Sequence, residues 1–399
     1  MKQAVVLVAG EGKRLRPFTV NRPKVMISIA GKPILQYVLE SLAHNGVRDI
    51  VLVAGYRREQ IFDYMGSGEQ FGVKITYIAQ EKQVGTAHAL LQARSAVSDE
   101  FLVLSGDKLI SADTISRFVA VKPEAMLVKK MENPFRSEVV TIEGDAVREA
   151  TRQERRAAGY NDRESGIYLV NTGIYAFSRK IFDFIEGEQT IPAGLNNLLA
   201  RGRGLSALET DATWLDVAYP WDILDLNGAI LSRIQANLGG TIEAGAAVKG
   251  LVSVGENTVI RSGCYIVGPV VIGRGCEIGP GVCILPATSV GDNVVISSFT
   301  EIKNSVIGND VNIGPGSIIQ DSVIDRGCVI TGHFTAASGQ AEVKIDGQFH
   351  LVNVGAMLGE GCSLGSNVVA LPGVIAGNYT QVRALKIVSG QLPDRSLVF

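Results

Sequence analysis

The residues best suited to chemistry lie near the start of the chain, where an apolar run meets glycines and basic side chains. Ala4 to Val8 is a continuous apolar segment, which is typical of a buried parallel strand. It leads into Ala9-Gly10-Glu11-Gly12, where small residues let the backbone approach a ligand and point its N–H groups toward it. Arg14 and Lys24 follow. An apolar strand leading into a glycine loop with fixed cations indicates a site that holds phosphate.

Two common phosphate-binding patterns do not fit this loop. A P-loop requires G-x-x-x-x-G-K-[ST], and neither its glycine spacing nor its Ser/Thr is present. A dinucleotide-binding fingerprint requires a third glycine three residues after Gly12, where this chain has Leu15. The residues alone leave one alternative open, an ordinary strand-to-helix turn with surface arginines.

The loop resembles the signature of the sugar-1-phosphate nucleotidylyltransferases. It reads G-x-G-x-R-x-x-P and is followed by Pro23-Lys24, with Val25 where that family usually has a second proline. The resemblance implies that Arg14 stabilises the departing pyrophosphate and that Lys24 contacts the α-phosphoryl group and the sugar phosphate. The nucleotide-binding residues that it implies in the loop are Ala9, Gly10 and Gly12.

Two aspartates are the candidate metal ligands. Asp107 follows the apolar run that begins at Phe101 and is preceded by Gly106, which places a carboxylate at the end of a buried strand. Such a carboxylate is suited to hold Mg²⁺, and in the resembling family this aspartate is a metal ligand. Asp216 lies in a W-x-D-V-x-x-P pattern that also matches the family, and we expect it to face Asp107 as the second carboxylate on Mg²⁺.

A glutamine-containing segment after the third apolar run is the candidate base-recognition element. A glutamine amide can pair with the edge of a nucleobase, and a glycine lets the base lie against the backbone. The sequence QVGTAHALLQA resembles that of the uridylyltransferases for N-acetylglucosamine-1-phosphate more than that of the thymidylyltransferases. In the family this segment reads the base. The nucleotide-binding residues implied here are Gln80, Gly85 and Thr86.

The sugar site is expected from two further segments. The segment from Leu169 to Tyr175 resembles the family's N-T-G-I, whose asparagine binds the sugar, so Asn171 and Thr172 are the candidates. The family often carries Glu-Lys-Pro earlier in the chain, and this chain lacks it. Glu149 is the candidate for the glutamate, and either Arg152 or Arg155 for the lysine that meets the sugar phosphate. A charged, solvated loop is the alternative for this stretch.

These residues need a parallel sheet to bring them together. Apolar segments at 4–8, 50–54 and 75–79 alternate with helical patterns at 34–45 and 58–65, which predicts an α/β, Rossmann-like domain. Ligands of such sheets lie beyond the carboxyl ends of the strands, where the glycine loop and both later segments fall.

The last third of the chain has a different period. Apolar residues recur at every sixth position from Ile242 to Ile302, and after a slip of one residue at Ile307, Ile313 and Ile319. This period predicts a hexapeptide-repeat parallel β-helix. Resemblance to the hexapeptide-repeat family implies that the coil is left-handed and that the protein forms a homotrimer or a dimer of trimers. The predicted domains are 1–220, a linker helix at 221–240, and the β-helix at 241–399 with an inserted loop near 331–357.

The inserted loop contains a hairpin pattern, and the domain lacks the histidine motif of acetyltransferases. The hairpin is predicted to turn at Asp346-Gly347. The acetyltransferase relatives carry their catalytic histidine in a P-H-L-S-Y stretch, which is absent here. His333 and His350 are the domain's histidines, and a lone histidine is more often structural than catalytic. The sequence therefore argues against acetyl transfer without excluding it.

Composition excludes several classes of protein. The net charge is −2 over 399 residues, so no overall field favours nucleic acid or an anionic membrane surface. No apolar run is long enough to span a membrane, and the apolar start ends too early for a signal peptide. The cysteines are odd in number and lack C-x-x-C spacing, which disfavours a disulfide framework or a zinc site. A cytoplasmic location is expected.

The two resemblances together cover nearly the whole chain, in the order of the bifunctional nucleotidylyltransferase–acetyltransferases. They imply an enzyme that joins UTP or dTTP to glucose- or N-acetylglucosamine-1-phosphate and releases pyrophosphate. One alternative adds acetylation of glucosamine-1-phosphate by the β-helix, with acetyl-CoA as a further substrate. Another alternative is a non-catalytic regulatory subunit of such an enzyme.

Overall fold

The computed structural model describes residues 1–132, 138–152 and 167–399, and the chain divides into two compact units. The first unit contains Met1–Glu11 and Ile34–Asp216, and the second contains Gly12–Pro33 and Val217–Phe399. The predicted domains follow the chain in order, whereas the structure groups the segment after the glycine loop with the carboxyl-terminal half. This segment, Gly12–Pro33, is called the signature segment below.

The first unit is built on a mixed sheet in which nine strands of the described residues take part. Its amino-terminal half is parallel, because β1 (Gln3–Val8) pairs with β2 (Asp49–Ala54) and β4 (Glu100–Ser105), and β2 pairs with β3 (Lys74–Ala79). The strand order is β3-β2-β1-β4-β9-β6-β10-β8-β7. The strands are β1 Gln3–Val8, β2 Asp49–Ala54, β3 Lys74–Ala79, β4 Glu100–Ser105, β6 Ala125–Glu132, β7 Glu138–Glu143, β8 Ala146–Arg152, β9 Ile167–Ser178 and β10 Ser206–Glu209; a separate pair is β5 Lys108–Ile110 with β11 Trp214–Asp216.

Helices cover this sheet because their apolar residues recur on one face. In the first helix the buried residues are Ile34, Leu35, Val38, Leu39 and Leu42, a spacing of three and four that gives a single apolar stripe. No helix among the described residues is long and apolar enough to cross a membrane. The helices are α1 Ile34–His44, α2 Arg58–Met65, α3 Thr86–Gln92, α4 Ala112–Val119, α5 Phe182–Ile185 and α6 Ile191–Ala200 in this unit, and α7 Asp222–Leu231 in the second.

The second unit is dominated by a left-handed parallel β-helix. Three parallel sheets run along it, and each coil adds one short strand to each sheet. Eighteen residues separate neighbours in the regular part of a sheet, as in the pairing of Ile260 with Ile278, so three hexapeptides make one coil; after the slip the separation is seventeen, as between Ile296 and Ile313. The period-six residues point inward and form one continuous core, which confirms the prediction from their spacing.

The β-helix strands are two or three residues long, and their bounds are as follows. The first sheet contains Asn237–Leu238, Val252–Val254, Val270–Ile272, Thr288–Val290, Val306–Ile307, Val323–Ile324, Ala356–Leu358, Val374–Ala376 and Gln391–Leu392; the second contains Thr241–Ile242, Val259–Ile260, Glu277–Ile278, Val295–Ile296, Asn312–Ile313, Val329–Ile330, Ser363–Leu364, Gln381–Val382 and Leu397–Val398; the third contains Ala247–Lys249, Tyr265–Val267, Cys283–Ile284, Glu301–Lys303, Ile318–Gln320, Thr335–Ala336, Val369–Ala370 and Ile387–Val388.

Two predictions about this region need correction. The linker helix predicted over 221–240 is shorter: α7 ends at Leu231, and Asn237–Leu238 is already a strand paired with Ser253–Val254. Parallel pairing with the first full coil satisfies the backbone groups of 237–238, and this outweighs a helical pattern that local sequence could equally support.

The insertion is also narrower than the predicted 331–357. It consists of a hairpin in which Gly339–Ile345 pairs with Gln348–Val354, and its turn at Asp346-Gly347 is confirmed. The coils continue on both sides of this hairpin and run on to Leu397–Val398. Cys276 lies in the core, whereas Cys283 is only half-buried, because it is the outward residue of its strand.

Candidate functional site

The first unit brings Asp107 and Asp216 together. β5 and β11 pair antiparallel with Asp216 opposite Lys108, so Asp107 lies one residue from the position that faces Asp216. Both carboxylates are partly buried, and the Ser105 hydroxyl donates a hydrogen bond to Asp107. Position 106, just before Asp107, requires glycine, because a side chain there would come within 2.5 Å of Val8. This strand pair brings the backbone at residue 107 close to residue 216, although they are 109 positions apart, and the role of the two aspartates as metal ligands stays a prediction.

The donor set of this pair fits a small divalent cation. Carboxylate oxygens are hard ligands, and Mg²⁺ is commonly held by one or two protein carboxylates together with substrate phosphates. No cluster of three or more His, Cys, Asp or Glu residues occurs in the described parts of the chain. Two carboxylates therefore fit a metal that takes its remaining ligands from a phosphorylated substrate, and they do not form a closed structural site.

A cavity of about 300 Å³ opens beside Asp216. Its polar floor is a network around Asn171, whose Nδ2 donates to Glu138 Oε2 at 2.9 Å and to the Tyr175 hydroxyl at 2.7 Å. The Asn171 Oδ1 in turn accepts from the backbone N–H of Gly173 at 2.9 Å. The side chains and backbone that line the cavity are Leu7, Thr86, Ser105, Lys108, Glu138, Asn171, Gly173, Tyr175, Thr190, Ile191, Pro192, Trp214 and Asp216.

Burial governs the protonation of the tyrosine in this network. Burial, together with the nearby Glu138 carboxylate, raises the pKa of the Tyr175 phenol well above its usual range. The Tyr175 hydroxyl therefore keeps its proton at neutral pH and remains a hydrogen-bond donor. Asn171 is only 6% exposed and is held by three partners, so its side chain is preorganised.

Lys108 and Glu138 are cavity residues that the motifs did not identify. The Lys108 ammonium donates to the Thr172 carbonyl at 3.0 Å and lies 5.1 Å from the centre of the Trp214 ring. The Trp214 indole N–H donates to the same carbonyl at 3.1 Å, which fixes the ring. The sequence signal that could have identified Lys108 is its position directly after Gly-Asp, where β5 begins and pairs with Asp216. Glu138 had no motif around it.

The other predicted sugar-site residues are placed differently. Thr172 is fully buried, and its hydroxyl donates to the Leu127 carbonyl at 2.7 Å, so its side chain braces the sheet. Glu149 is exposed on β8, beside an irregularity in the pairing with β7, and it does not line the cavity. The Arg152 side chain and Arg155 lie outside what the structure describes. The structure brings Asn171 to the cavity, and in place of Glu149 it brings Glu138.

The predicted base-recognition segment forms a braced turn before α3. Gln80 is 3% exposed, and its amide nitrogen donates to the Gly85 carbonyl at 3.2 Å and lies 2.9 Å from His88 Nδ1. Gly85 has φ of +144°, and any side chain there would meet the Gln189 carbonyl oxygen at 2.1 Å. The Thr86 hydroxyl accepts from the backbone N–H of Ile191 at 3.0 Å and borders the cavity.

The glycine loop begins in the first unit with buried Ala9 and exposed Gly10. Gly12 opens the signature segment in a left-handed conformation, with φ of +70°. Its carbonyl accepts a hydrogen bond from the Thr19 hydroxyl at 2.8 Å, and a side chain there would approach Lys24 Cβ to 3.0 Å. Gly12 therefore allows the two arms of the segment to come close together, and this brings Lys24 next to the loop.

Arg14 lies on an aromatic stack within the second unit. Its guanidinium carbon is 5.3 Å from the centre of the Tyr219 ring, a cation–π distance. Tyr219 stacks on Trp221 at 5.1 Å and contacts the His350 ring at 4.4 Å. His350 belongs to the hairpin, and its ring packs against the aromatic rings of Tyr219 and Trp221. Lys24 begins a short 3₁₀ turn, Lys24–Met26, and is partly exposed.

Comparison with known proteins finds a matching family model in each of the two parts of the chain. A family model described as "Nucleotidyl transferase" matches residues 3–233, and one described as "GMPPB C-terminal domain" matches residues 266–339. "Bifunctional protein GlmU" of Methanococcus maripaludis is 32% identical over 99% of this chain and 97% of its own.

Two further relatives have other names. "Bifunctional sugar-1-phosphate nucleotidylyltransferase/acetyltransferase" of Sulfurisphaera tokodaii is 31% identical over 95% of each chain. "Glucose-1-phosphate thymidylyltransferase" of Streptomyces antibioticus is 30% identical over 82% of this chain and 93% of its own. The similarity to the first two relatives thus spans both units.

Proposed function

The chain belongs to the nucleotidyl transferase family, and from this premise we propose that it joins a nucleoside triphosphate to a sugar-1-phosphate and releases pyrophosphate. The observation that carries the proposal is the adjacency of Asp107 and Asp216 beside a cavity that contains Asn171 and Glu138. A carboxylate pair can serve a phosphate, and an amide–carboxylate network can serve sugar hydroxyls.

The reaction is an in-line exchange at phosphorus. A phosphate oxygen of the sugar-1-phosphate attacks the α-phosphorus of the triphosphate, the new P–O bond forms, and the bond to the β-phosphate oxygen breaks. Pyrophosphate leaves with the bonding electron pair. Because the protein makes no covalent bond, its contribution is orientation and neutralisation of charge.

The family generally uses a divalent metal, and we propose Mg²⁺ held by Asp107 and Asp216. Bound there, it would neutralise charge on the phosphates in the transition state. Arg14 is assigned to the departing pyrophosphate and Lys24 to the α-phosphoryl group and the sugar phosphate. Gly12 supports the loop that carries both.

The sugar-1-phosphate is assigned to the cavity of the first unit. Asn171 and Glu138 present an amide and a carboxylate for sugar hydroxyls. Lys108 supplies positive charge for the sugar phosphate, in place of the lysine that the sequence pattern lacks. Glucose-1-phosphate and N-acetylglucosamine-1-phosphate are the proposed sugars, and UTP and dTTP the proposed nucleotides.

An assay of pyrophosphate release tests this function. Purified protein is incubated with Mg²⁺, UTP or dTTP, and either sugar-1-phosphate. Asp107→Asn should lower turnover by about 10²–10³, the usual cost of losing one charge-stabilising group. Glu277→Gln is the control, because it changes an exposed carboxylate whose partner is Arg261 on the β-helix. Release that is absent in the wild type with all four substrate pairs would favour a regulatory subunit, and unchanged release in Asp107→Asn would refute the metal role.

Acetyl transfer is a second candidate, because relatives named as bifunctional match 95–99% of this chain. The amino group of glucosamine-1-phosphate would attack the thioester carbonyl of acetyl-CoA and release the thiol of coenzyme A. Thiol release that depends on the amino sugar supports this candidate. Its absence leaves the nucleotidyl transfer as the single activity.

Assembly and location complete the proposal. We propose a homotrimer or a dimer of trimers, formed through the β-helix and acting in the cytoplasm. Sedimentation velocity on the purified full chain measures the assembly directly.

A further inference from the structure

We propose that Asp325 of the β-helix is a positioning residue for nucleotidyl transfer, because it anchors the signature segment through Arg22. The inference rests on the proposed function, since the signature segment carries Arg14 and Lys24. All the groups involved belong to the second unit.

The anchor is a two-pronged ion pair. The Arg22 guanidinium donates to both oxygens of Asp325, at 2.8 and 2.7 Å. The two side chains are only 14% and 8% exposed, so the pair is largely withdrawn from solvent. A planar guanidinium on a carboxylate fixes orientation as well as distance, which a lysine in this place would not do. Arg22 stands two residues before Lys24, so the pair fixes the backbone that presents Lys24.

Neighbouring coils add contacts to the same segment. Glu360 accepts a hydrogen bond from Asn21 Nδ2 at 3.2 Å and lies 3.8 Å from Arg22. Asn378, which is 2% exposed, donates from Nδ2 to the Pro17 carbonyl at 3.3 Å. The signature segment is therefore tied at three successive coils.

The repeat itself marks Asp325 as exceptional. From Val254 to Ala376 the inward residue at this corner of the β-helix is followed by glycine in every coil except one, in which Ile324 is followed by Asp325; in the last coil Leu392 is followed by Pro393. A side chain on the glycines would clash with the next coil; at Gly308, for example, it would meet a backbone nitrogen at 2.6 Å. The equivalent glycines in the flanking coils are Gly255, Gly273, Gly291, Gly308, Gly359 and Gly377.

The coil itself does not require a carboxylate at this corner. The coil accepts glycine at this corner on both sides of Asp325, and the Asp325 carboxylate is directed to Arg22 and to the neighbouring N–H of Arg326. A buried ion pair is weak support for stability alone, but it can specify one conformation. We therefore assign the carboxylate to orienting the signature segment.

Asp325→Gly is the sharpest test, because it restores the residue that the flanking coils carry and removes the anchor, together with the local hydrogen bond from the Arg326 N–H. We expect kcat/KM for the nucleoside triphosphate to fall about tenfold or more, because Arg14 and Lys24 lose their fixed position. Hydrogen–deuterium exchange in residues 12–33 should increase, while exchange in the strands at 259–330 stays at the wild-type level. Glu277→Gln should change none of these readouts.

A second variant separates positioning from the cost of an unpaired charge. Adding Arg22→Met to Asp325→Gly removes the stranded guanidinium, so thermal stability should return toward wild type while kcat/KM for the nucleotide stays low. Unchanged nucleotide kinetics in Asp325→Gly, or kinetics fully restored by Arg22→Met, would overturn the proposal. If the wild type releases no pyrophosphate the proposed function fails, and unchanged exchange in residues 12–33 then refutes the anchor independently.

Discussion

At the level of single residues, neighbours in the sequence have different tasks. Asp107 and Lys108 are adjacent, but Asp107 lies in the turn before β5, whereas Lys108 is the first residue of β5 and pairs with Asp216. Ser105 holds the aspartate, whereas Trp214 and the Thr172 carbonyl hold the lysine at the cavity. The carboxylate and the ammonium therefore have different partners, and we propose that the carboxylate serves a metal and the ammonium a phosphate.

The lysine gives a prediction about the sugar substrate. Lys108→Met should raise KM for the sugar-1-phosphate about tenfold or more, because a charge-assisted hydrogen bond to phosphate is lost. KM for the nucleotide should change less. Lys108→Arg keeps the charge and is the control, with an intermediate effect. Initial rates with each substrate varied in turn measure this, and equal rises in both KM values would contradict the assignment.

Glu124 gives a prediction about pH. Burial raises the pKa of this carboxyl, although Ser178 donates to it from both its backbone N–H and its hydroxyl. A folded-state pKa above the unfolded value adds stability below about pH 4.5, and this stability is lost as pH rises through the folded pKa. Glu124→Gln removes that titration. Urea unfolding at pH 4.5 and 7.5 should therefore show less loss of stability with rising pH in the variant, and an identical loss would contradict the prediction.

At the level of elements, the alternation of side chains along a strand decides which of two adjacent isoleucines contributes to the core. Ile318 and Ile319 are adjacent in the strand Ile318–Gln320, but Ile318 is 41% exposed and Ile319 is fully buried. Ile319→Ala should lower the free energy of unfolding by about 2–5 kcal/mol, because it leaves a cavity in the β-helix core. Ile318→Ala is the matched control and should cost less than about 1 kcal/mol. Urea unfolding measures both, and equal losses would exclude the assigned facing.

The turn before α3 requires glycine at position 85, which has no side chain. Gly85→Ala would force a Cβ to within 2.1 Å of the Gln189 carbonyl, at a φ that favours glycine. We expect a loss of roughly 1–3 kcal/mol in the free energy of unfolding, together with a raised KM for the nucleotide. Gly204→Ala is the control, since nothing lies within 4 Å of its added Cβ. A wild-type unfolding curve for Gly85→Ala would show that the turn can relax.

At the level of the whole molecule, the division of the chain does not follow its order. The signature segment buries Leu15, Phe18, Val25 and Ile27, each no more than 5% exposed, in the unit that contains the β-helix. Its local hydrogen bonds, such as Phe18 N–H to the Leu15 carbonyl, form turns, and its strands are the short pair Ser28–Ile29 and Lys32–Pro33. The segment therefore depends on the carboxyl-terminal half for its structure.

Truncation tests this dependence. A chain of residues 1–220 keeps the sheet, both aspartates and the cavity of the first unit, but it loses the β-helix that accommodates the signature segment. We expect it to release no measurable pyrophosphate with substrates that the full chain uses. Circular dichroism and tryptophan fluorescence check that it folds, and full activity in a folded truncated chain would contradict the prediction.

The sequence by itself determined the features that depend on local pattern. The apolar runs and helical stripes predicted β1, β2, β3, α1 and α2 to within about one residue at each end, because burial on one face imposes a fixed period. The period of six predicted the β-helix coil by coil for the same reason. The motifs also identified Asp216 and Asn171, which line one cavity of the first unit, and Asp107, which lies one residue from the position paired with Asp216.

Only the tertiary structure decided where long-range partners lie. Glu138 replaces Glu149 at the cavity, because the contact with Asn171 joins strands that are far apart in sequence. The signature segment belongs with the β-helix because Arg22 meets Asp325 across 303 positions. A helical pattern after Leu231 gave way to pairing with a later coil. Pairings of this kind depend on which distant groups desolvate together, and local sequence does not encode that information.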